Sequence, residues 1–192
     1  MSAIIVIGPE SSGTRMVTRL LLEKGCLGDA EHNQHWDKNP ITHVNKTKNK
    51  PVVWRKSVPH GRKWPDMLEM KSKLENAGHA EITVVVILRD WYPQIKSMSE
   101  KHLFHVKEDR SEANLMNVAT AQTQEAVLHI FKEIEKAGFQ KDFLVVSYEA
   151  FIFDGRSINA MMRFLRLPEY TMEELDEKHK LHYASEKWYG EF

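Results

Sequence analysis

The sequence is poor in the features that mark secreted, membrane-spanning and nucleic-acid-binding chains. It has one cysteine, Cys26. That excludes an intrachain disulfide and fits a reducing compartment. No apolar run is long enough to span a membrane. The first such run, Ile4-Ile5-Val6-Ile7, has neither the basic flank nor the cleavage motif of a signal peptide, so a cytoplasmic location is expected. Charge of one sign is also missing: 27 Lys and Arg balance 27 Asp and Glu. Bulk charge therefore argues for no nucleic-acid or membrane partner, and neither is expected. Internal repeats and low-complexity tracts are absent. What remains is 192 residues with 42% hydrophobic and 28% charged side chains, an ordinary globular composition. A single domain over residues 1–192 is expected.

Charge is uneven locally. Residues 44–63 carry seven basic side chains and no acidic one: Lys46, Lys48, Lys50, Arg55, Lys56, Arg62 and Lys63. Such a segment is either a solvated loop or a wall that attracts an anion.

Along the chain, β-rich apolar runs alternate with amphipathic stretches. Strands are predicted at Ile4–Ile7, Val52–Trp54, Ile82–Leu88 and Phe143–Val146. Helices are predicted at Thr14–Lys24, Trp64–Ala77, Trp91–Phe104, Ser111–Ala137, Ser157–Leu165 and Thr171–Lys180. Residues 28–50 are polar and read as loop. Alternation of this kind implies an α/β fold, with a mainly parallel central sheet flanked by helices. Such sheets bind ligands at the carboxyl ends of their strands. Chemistry is therefore sought after Ile7, Trp54, Leu88 and Val146.

The first strand is followed by Gly8-Pro9-Glu10-Ser11-Ser12-Gly13-Thr14-Arg15 and then a helix. A glycine-bearing turn at a helix start converges backbone N–H groups on one point, a ready cradle for phosphate. The hydroxyls of Ser11, Ser12 and Thr14 are further donors. The structural alternative is a tight turn in which Ser12 or Thr14 caps the helix. The pattern is not a full Walker loop. Thr14 stands at the lysine position and Arg15 at the metal-hydroxyl position, which argues against magnesium-dependent phosphoryl transfer. The third strand is followed by Arg89-Asp90-Trp91-Tyr92-Pro93-Gln94-Ile95-Lys96-Ser97. Arg89 at a strand end and Ser97 about two turns into the helix are set to grip one anion. The alternative is a pairing of Arg89 with Asp90 or another carboxylate.

Taken together, these segments resemble the sulfotransferases that use 3′-phosphoadenosine 5′-phosphosulfate. Residues 4–21, with Gly13-Thr14-Arg15, are similar to the family's 5′-phosphosulfate loop, especially its Gly-Thr-Arg form in glycan sulfotransferases. Leu88 to Ser97 resembles the 3′-phosphate motif. Val145-Val146-Ser147-Tyr148-Glu149, with Phe164-Leu165-Arg166-Leu167-Pro168 after it, resembles the Tyr-Glu strand and its following helix. Lys56-Ser57-Val58-Pro59-His60 is similar to a Lys-Ser-Pro-x-His stretch of bacterial members.

The resemblance implies a three-layer P-loop-NTPase-like fold and sulfonate transfer to a hydroxyl of a small molecule or glycan, with no metal. It also implies roles. Ser11, Ser12, Gly13, Thr14 and Arg15 would hold the 5′-phosphate and the leaving sulfonate. Arg89 and Ser97 would hold the 3′-phosphate. Tyr148 would lie near the adenine or pack behind the loop. The chain departs from the pattern at two positions: Ser11 stands where the family has Lys or Arg, and Trp91 replaces a proline. The family's C-terminal glycine-rich basic motif is missing, and the chain is short for the family.

As an in-line displacement, sulfonate transfer needs a base at the acceptor oxygen and positive charge at the leaving oxygen. His60, Glu31, His32 and His35 are the base candidates, and Lys56 is the candidate for the missing loop cation. Glu31 and His35 fall where glycan sulfotransferases keep a Glu-x-x-His segment. A zinc site of Cys26, His32 and His35 is disfavoured, because no second cysteine exists. The rival functions are a P-loop nucleotide or metabolite kinase and a nucleotide-binding module without turnover.

Overall fold

The computed structural model describes residues 2–30, 50–59, 64–100 and 111–177. Four strands form one sheet: β1 (Ser2–Pro9), β2 (Val52–Val58), β3 (Glu81–Leu88) and β4 (Phe143–Ser147). Their order is β2-β1-β3-β4, and every pairing is parallel. Among the described residues, six helices connect and flank them: α1 (Thr14–Glu23), α2 (Met67–Asn76), α3 (Trp91–Glu100), α4 (Glu112–Lys136), α5 (Tyr148–Phe153) and α6 (Arg156–Phe164). Residues 172–177 add a helical turn.

The sheet is parallel because each strand is apolar on both faces and each connection is long enough to cross over it. β1 lies between two partners and is buried along residues 3–9. Its side chains alternate between two cores. Ala3, Ile5 and Ile7 meet α2 and α4 through Met67, Leu74, Ile130 and Ile134. Ile4 and Val6 meet α1, α5 and α6 through Val17, Leu21, Ile152 and Met162. Helices therefore cover both faces, the three-layer arrangement. A smaller cluster of Ile95, Met98 and Ala119 joins α3 to α4. Among the described residues, no helix is long and apolar enough to cross a membrane.

Several boundaries differ from the pattern-based expectation. β2 runs on past Trp54 to Val58, so Lys56 and Ser57 lie inside the strand. Pairing with Ile7, Gly8 and Pro9 of the central strand holds the polar residues Lys56 and Ser57 extended. α2 starts at Met67, after Pro65. Its N-cap is Asp66, whose carboxylate accepts the Glu69 N–H at 2.9 Å. α5 follows β4 directly and was not expected. Ser147 caps it by accepting the Ala150 N–H. Ser111 caps α4 in the same way, through the Asn114 N–H. The predicted extensions to Phe104 and Lys180 run outside the described residues.

Candidate nucleotide site

The carboxyl ends of β1, β2, β3 and β4 carry the candidate residues. Register sets their depth: Pro9 pairs with Val58, Ile7 with Lys56, and Leu88 with Ser147.

The loop after β1 is held tightly at its root. The Glu10 N–H donates to the Val58 carbonyl at 3.0 Å, and the Ser12 N–H to the Pro9 carbonyl at 3.1 Å. Ser11 takes φ 61 and Gly13 φ 104, both left-handed. Gly13 allows this at no steric cost. A side chain there would also strike the Tyr148 ring. Gly8 is needed for a different reason: a Cβ would meet the Ser12 hydroxyl and the Ile87 carbonyl. Ser11 has no such freedom, and its backbone costs about 1–2 kcal/mol.

The helix start is open. Gly13 is the N-cap and makes no side-chain cap bond. The Thr14 hydroxyl turns to the Ser57 hydroxyl instead, at 3.1 Å. Thus neither Ser12 nor Thr14 caps α1, and its first amides have no intrahelical acceptor. The first intrahelical bond runs from the Val17 N–H to the Gly13 carbonyl. The Ser11 and Ser12 hydroxyls are both buried and find no hydrogen-bond partner among the described residues. Ser12 is 0% exposed. A buried unpaired hydroxyl costs roughly 1–3 kcal/mol, so its presence beside an uncapped helix start fits a loop built to receive an anion.

Arg89 and Gln94 reach the loop from its other side. Arg89 Nη1 donates to the Ser11 carbonyl at 3.2 Å. The guanidinium lies over the Tyr148 ring, 4.5 Å from its centroid, a cation–π geometry. Tyr148 is itself buried and faces Gly13. Gln94 Nε2 donates to the Glu10 carbonyl at 2.9 Å. The turn after β3 is fixed by Glu149, which accepts the Asp90 N–H at 2.8 Å and the Ser147 hydroxyl at 2.9 Å. Ser97 is buried one helical turn beyond Gln94.

The structure therefore gathers Ser11, Ser12, Gly13, Thr14, Arg89 and Tyr148 around one loop. Arg15 is exposed on α1. Lys56 sits beside the root of the loop. Strand alternation puts it on the α2 and α4 side with Trp54 and Val58, opposite Ser57 and α1. Its ammonium is 5.7 Å from the Trp54 ring centroid. Glu31, His32, His35 and His60 lie outside the described residues. Among the described residues, no three His, Cys, Asp or Glu side chains gather into a metal-binding group. Cys26 lies behind α1, where burial pushes its thiol up to about 11.

Two residues that shape the loop lie in segments quoted from the sequence but were given no role there. Gln94 carries a usable signal, a glutamine one position before Ile95 and four before Met98 on the buried side of α3. Glu149 carries a weaker one, an acid two residues after a strand end.

The fold is similar to that of solved sulfotransferases. The mouse sulfotransferase SULT7A1, solved with PAP, superposes with a TM-score of 0.59 at 13% identity. The match covers 93% of this chain and 64% of the mouse chain. The sulfotransferase domain of the Synechococcus PCC 7002 olefin synthase gives 0.58 at 11% identity, covering 91% of this chain and 76% of that one. Retinol dehydratase, solved with androsterone and inactive cofactor PAP, gives 0.52 at 13% identity, covering 93% and 63%. The chain thus spans under two thirds of the length of the first and third of these proteins. No family model and no curated protein matches it by sequence.

Proposed function

We propose that this chain is a single-domain, cytoplasmic sulfotransferase that uses 3′-phosphoadenosine 5′-phosphosulfate and passes its sulfonate to a hydroxyl of a small molecule or glycan. One observation supports the reading most: an uncapped helix start beside the buried, unpartnered hydroxyl of Ser12. Those groups suit an oxyanion. The nucleotide supplies a sulfonate already activated for displacement. Ser11, Ser12, Gly13, Thr14 and Arg15 would hold its 5′ end. Arg89 and Ser97 would hold the 3′-phosphate.

In transfer, the acceptor oxygen bonds to sulfur as the bond from sulfur to the 5′-phosphate oxygen breaks. The acceptor proton passes to a base, for which His60, Glu31, His32 and His35 are the candidates. Positive charge beside the departing phosphate stabilises the transition state. Ser11 offers none, and Lys56 on the neighbouring strand is the candidate that does.

The kinase alternative loses support at Thr14. It stands where a Walker lysine would, and its hydroxyl is engaged by Ser57. The absence of a loop cation at Ser11 favours, as a second reading, a module that binds the nucleotide without turnover. A thermal-shift comparison tests all three. The bisphosphate 3′-phosphoadenosine 5′-phosphate, without metal, should stabilise the fold more than AMP does. At ~100 times its dissociation constant the gain is about 2.7 kcal/mol. A shift seen only with ATP and magnesium would favour the kinase. A bisphosphate shift with no sulfonate transfer to any of a panel of hydroxyl acceptors would favour the binding module.

A further inference from the structure

Gln94 lies inside the Leu88 to Ser97 segment, but the sulfotransferase resemblance gives a role there only to Arg89 and Ser97. Yet it is 1% exposed, and its Nε2 bonds the Glu10 carbonyl across 84 residues of sequence. Only the amide end of glutamine can donate to a carbonyl, so the bond fixes which way the side chain lies. Arg89 holds the next carbonyl, that of Ser11. Two successive loop carbonyls are therefore drawn toward the β3–α3 segment.

A trans peptide points its N–H opposite to its C=O. With the Glu10 carbonyl on Gln94, the Ser11 N–H is turned away from α3. The amides on either side are occupied: Glu10 donates to Val58 and Ser12 to Pro9. Among the described residues, the Ser11 N–H donates to no carbonyl. Ser11 is also the non-glycine loop residue held at a positive φ. We infer that Gln94 is a positioning residue, which presets the Ser11 amide as a donor to the 5′-phosphate end of the ligand. The assignment rests on the nucleotide reading above. Through the Glu10 carbonyl, Gln94 keeps this donor aimed before the ligand arrives, so binding does not have to order it.

The test compares three ligands by calorimetry on the wild type and on Gln94→Met, which keeps the side-chain volume and removes the donor. The ligands are 3′-phosphoadenosine 5′-phosphate, adenosine 5′-phosphate and adenosine 3′-phosphate. Both 5′-phosphorylated ligands should lose about tenfold in affinity, the scale of one hydrogen bond to a charged group. Adenosine 3′-phosphate should be unchanged. A packing role alone would leave the three ligands equally affected or equally untouched, and either result overturns the assignment. A wild type that binds none of them overturns the nucleotide reading as well, which separates the two failures. Should Gln94→Met fail to fold, the wild type still decides. Its Ser11 amide proton should move downfield when the bisphosphate is added, and an unmoved resonance overturns the inference.

Discussion

At the scale of single residues, the loop carries a stability cost that the proposed nucleotide would offset. Ser12 keeps a hydroxyl buried with no partner, although an alanine would fit the same backbone. In the ligand-free protein that hydroxyl is a cost of roughly 1–3 kcal/mol. Ser12→Ala should therefore leave the free protein as stable as the wild type, or more so. The same change should weaken the bisphosphate by about tenfold if the hydroxyl completes its bonding on the nucleotide. The opposite signs are the point of the measurement. Paired denaturation and calorimetry would show both effects. Lower stability with unchanged affinity would mean that Ser12 serves only the turn. Gly13 and Ser11 belong to the same economy: both sit at positive φ, and strain of this kind concentrates at ligand clamps.

At the scale of elements, α1 is fastened at the end away from the loop. Its closing carbonyls need donors from outside the helix. The Gly25 N–H takes Leu22 and the Cys26 N–H takes Leu21. The Tyr170 hydroxyl takes Leu20 at 2.8 Å and also meets the Glu23 carboxylate at 3.0 Å. Burial first, then Glu23, holds the phenol above its ordinary range, so it remains a donor at neutral pH. Asn159 secures Tyr170 by bonding both its N–H and its carbonyl. Tyr170→Phe keeps the ring under the Lys24 ammonium and should cost about 1–3 kcal/mol. A denaturation midpoint equal to wild type would sink this account. None of this bracing was legible in the sequence, because it joins residues 150 apart. Other elements were legible. β3 announces itself through its β-branched run, and α1 through Met16, Val17, Leu20 and Leu21. β2 was read short because Arg55, Lys56 and Ser57 interrupt its apolar run, and only pairing with β1 keeps them extended. α5 was missed because its six residues are too few to display a helical period. In the site, Arg89 was read as a ligand for a 3′-phosphate. Its bond to the Ser11 carbonyl and its seat on Tyr148 depend on a fold that no local pattern encodes.

At the scale of the whole molecule, separated segments are tied by carboxylates, and this sets the response to acid. Asp66 caps α2 and meets Lys136 at the end of α4, 2.9 Å away. Glu174 accepts the Thr171 N–H at 2.7 Å and pairs with Lys24 just after α1 at 3.1 Å. Asp154 pairs with Arg156 ahead of α6. All three carboxyls lie below their ordinary range. The Glu69 N–H is the main cause for Asp66, the Thr171 N–H for Glu174, and the Arg156 side chain for Asp154. A carboxyl whose pKa is lower in the folded state binds fewer protons there than in the unfolded chain. Its stabilisation is complete above the unfolded value, near about 4. It is lost as pH falls through that value toward the lower folded one. The urea midpoint should therefore stay level from neutral pH to about 5 as far as these groups are concerned, then fall in acid. The pairs are exposed, so each contribution is small and screened by salt. Asp66→Asn isolates one of them, because asparagine also caps helices but cannot ionise. The variant should start with a lower midpoint at pH 7 and lose less on acidification, so that the gap between the two curves narrows as pH falls from about 5 to about 3. Curves that stay parallel down to that pH would show that the Asp66 charge contributes nothing to holding α2 against α4.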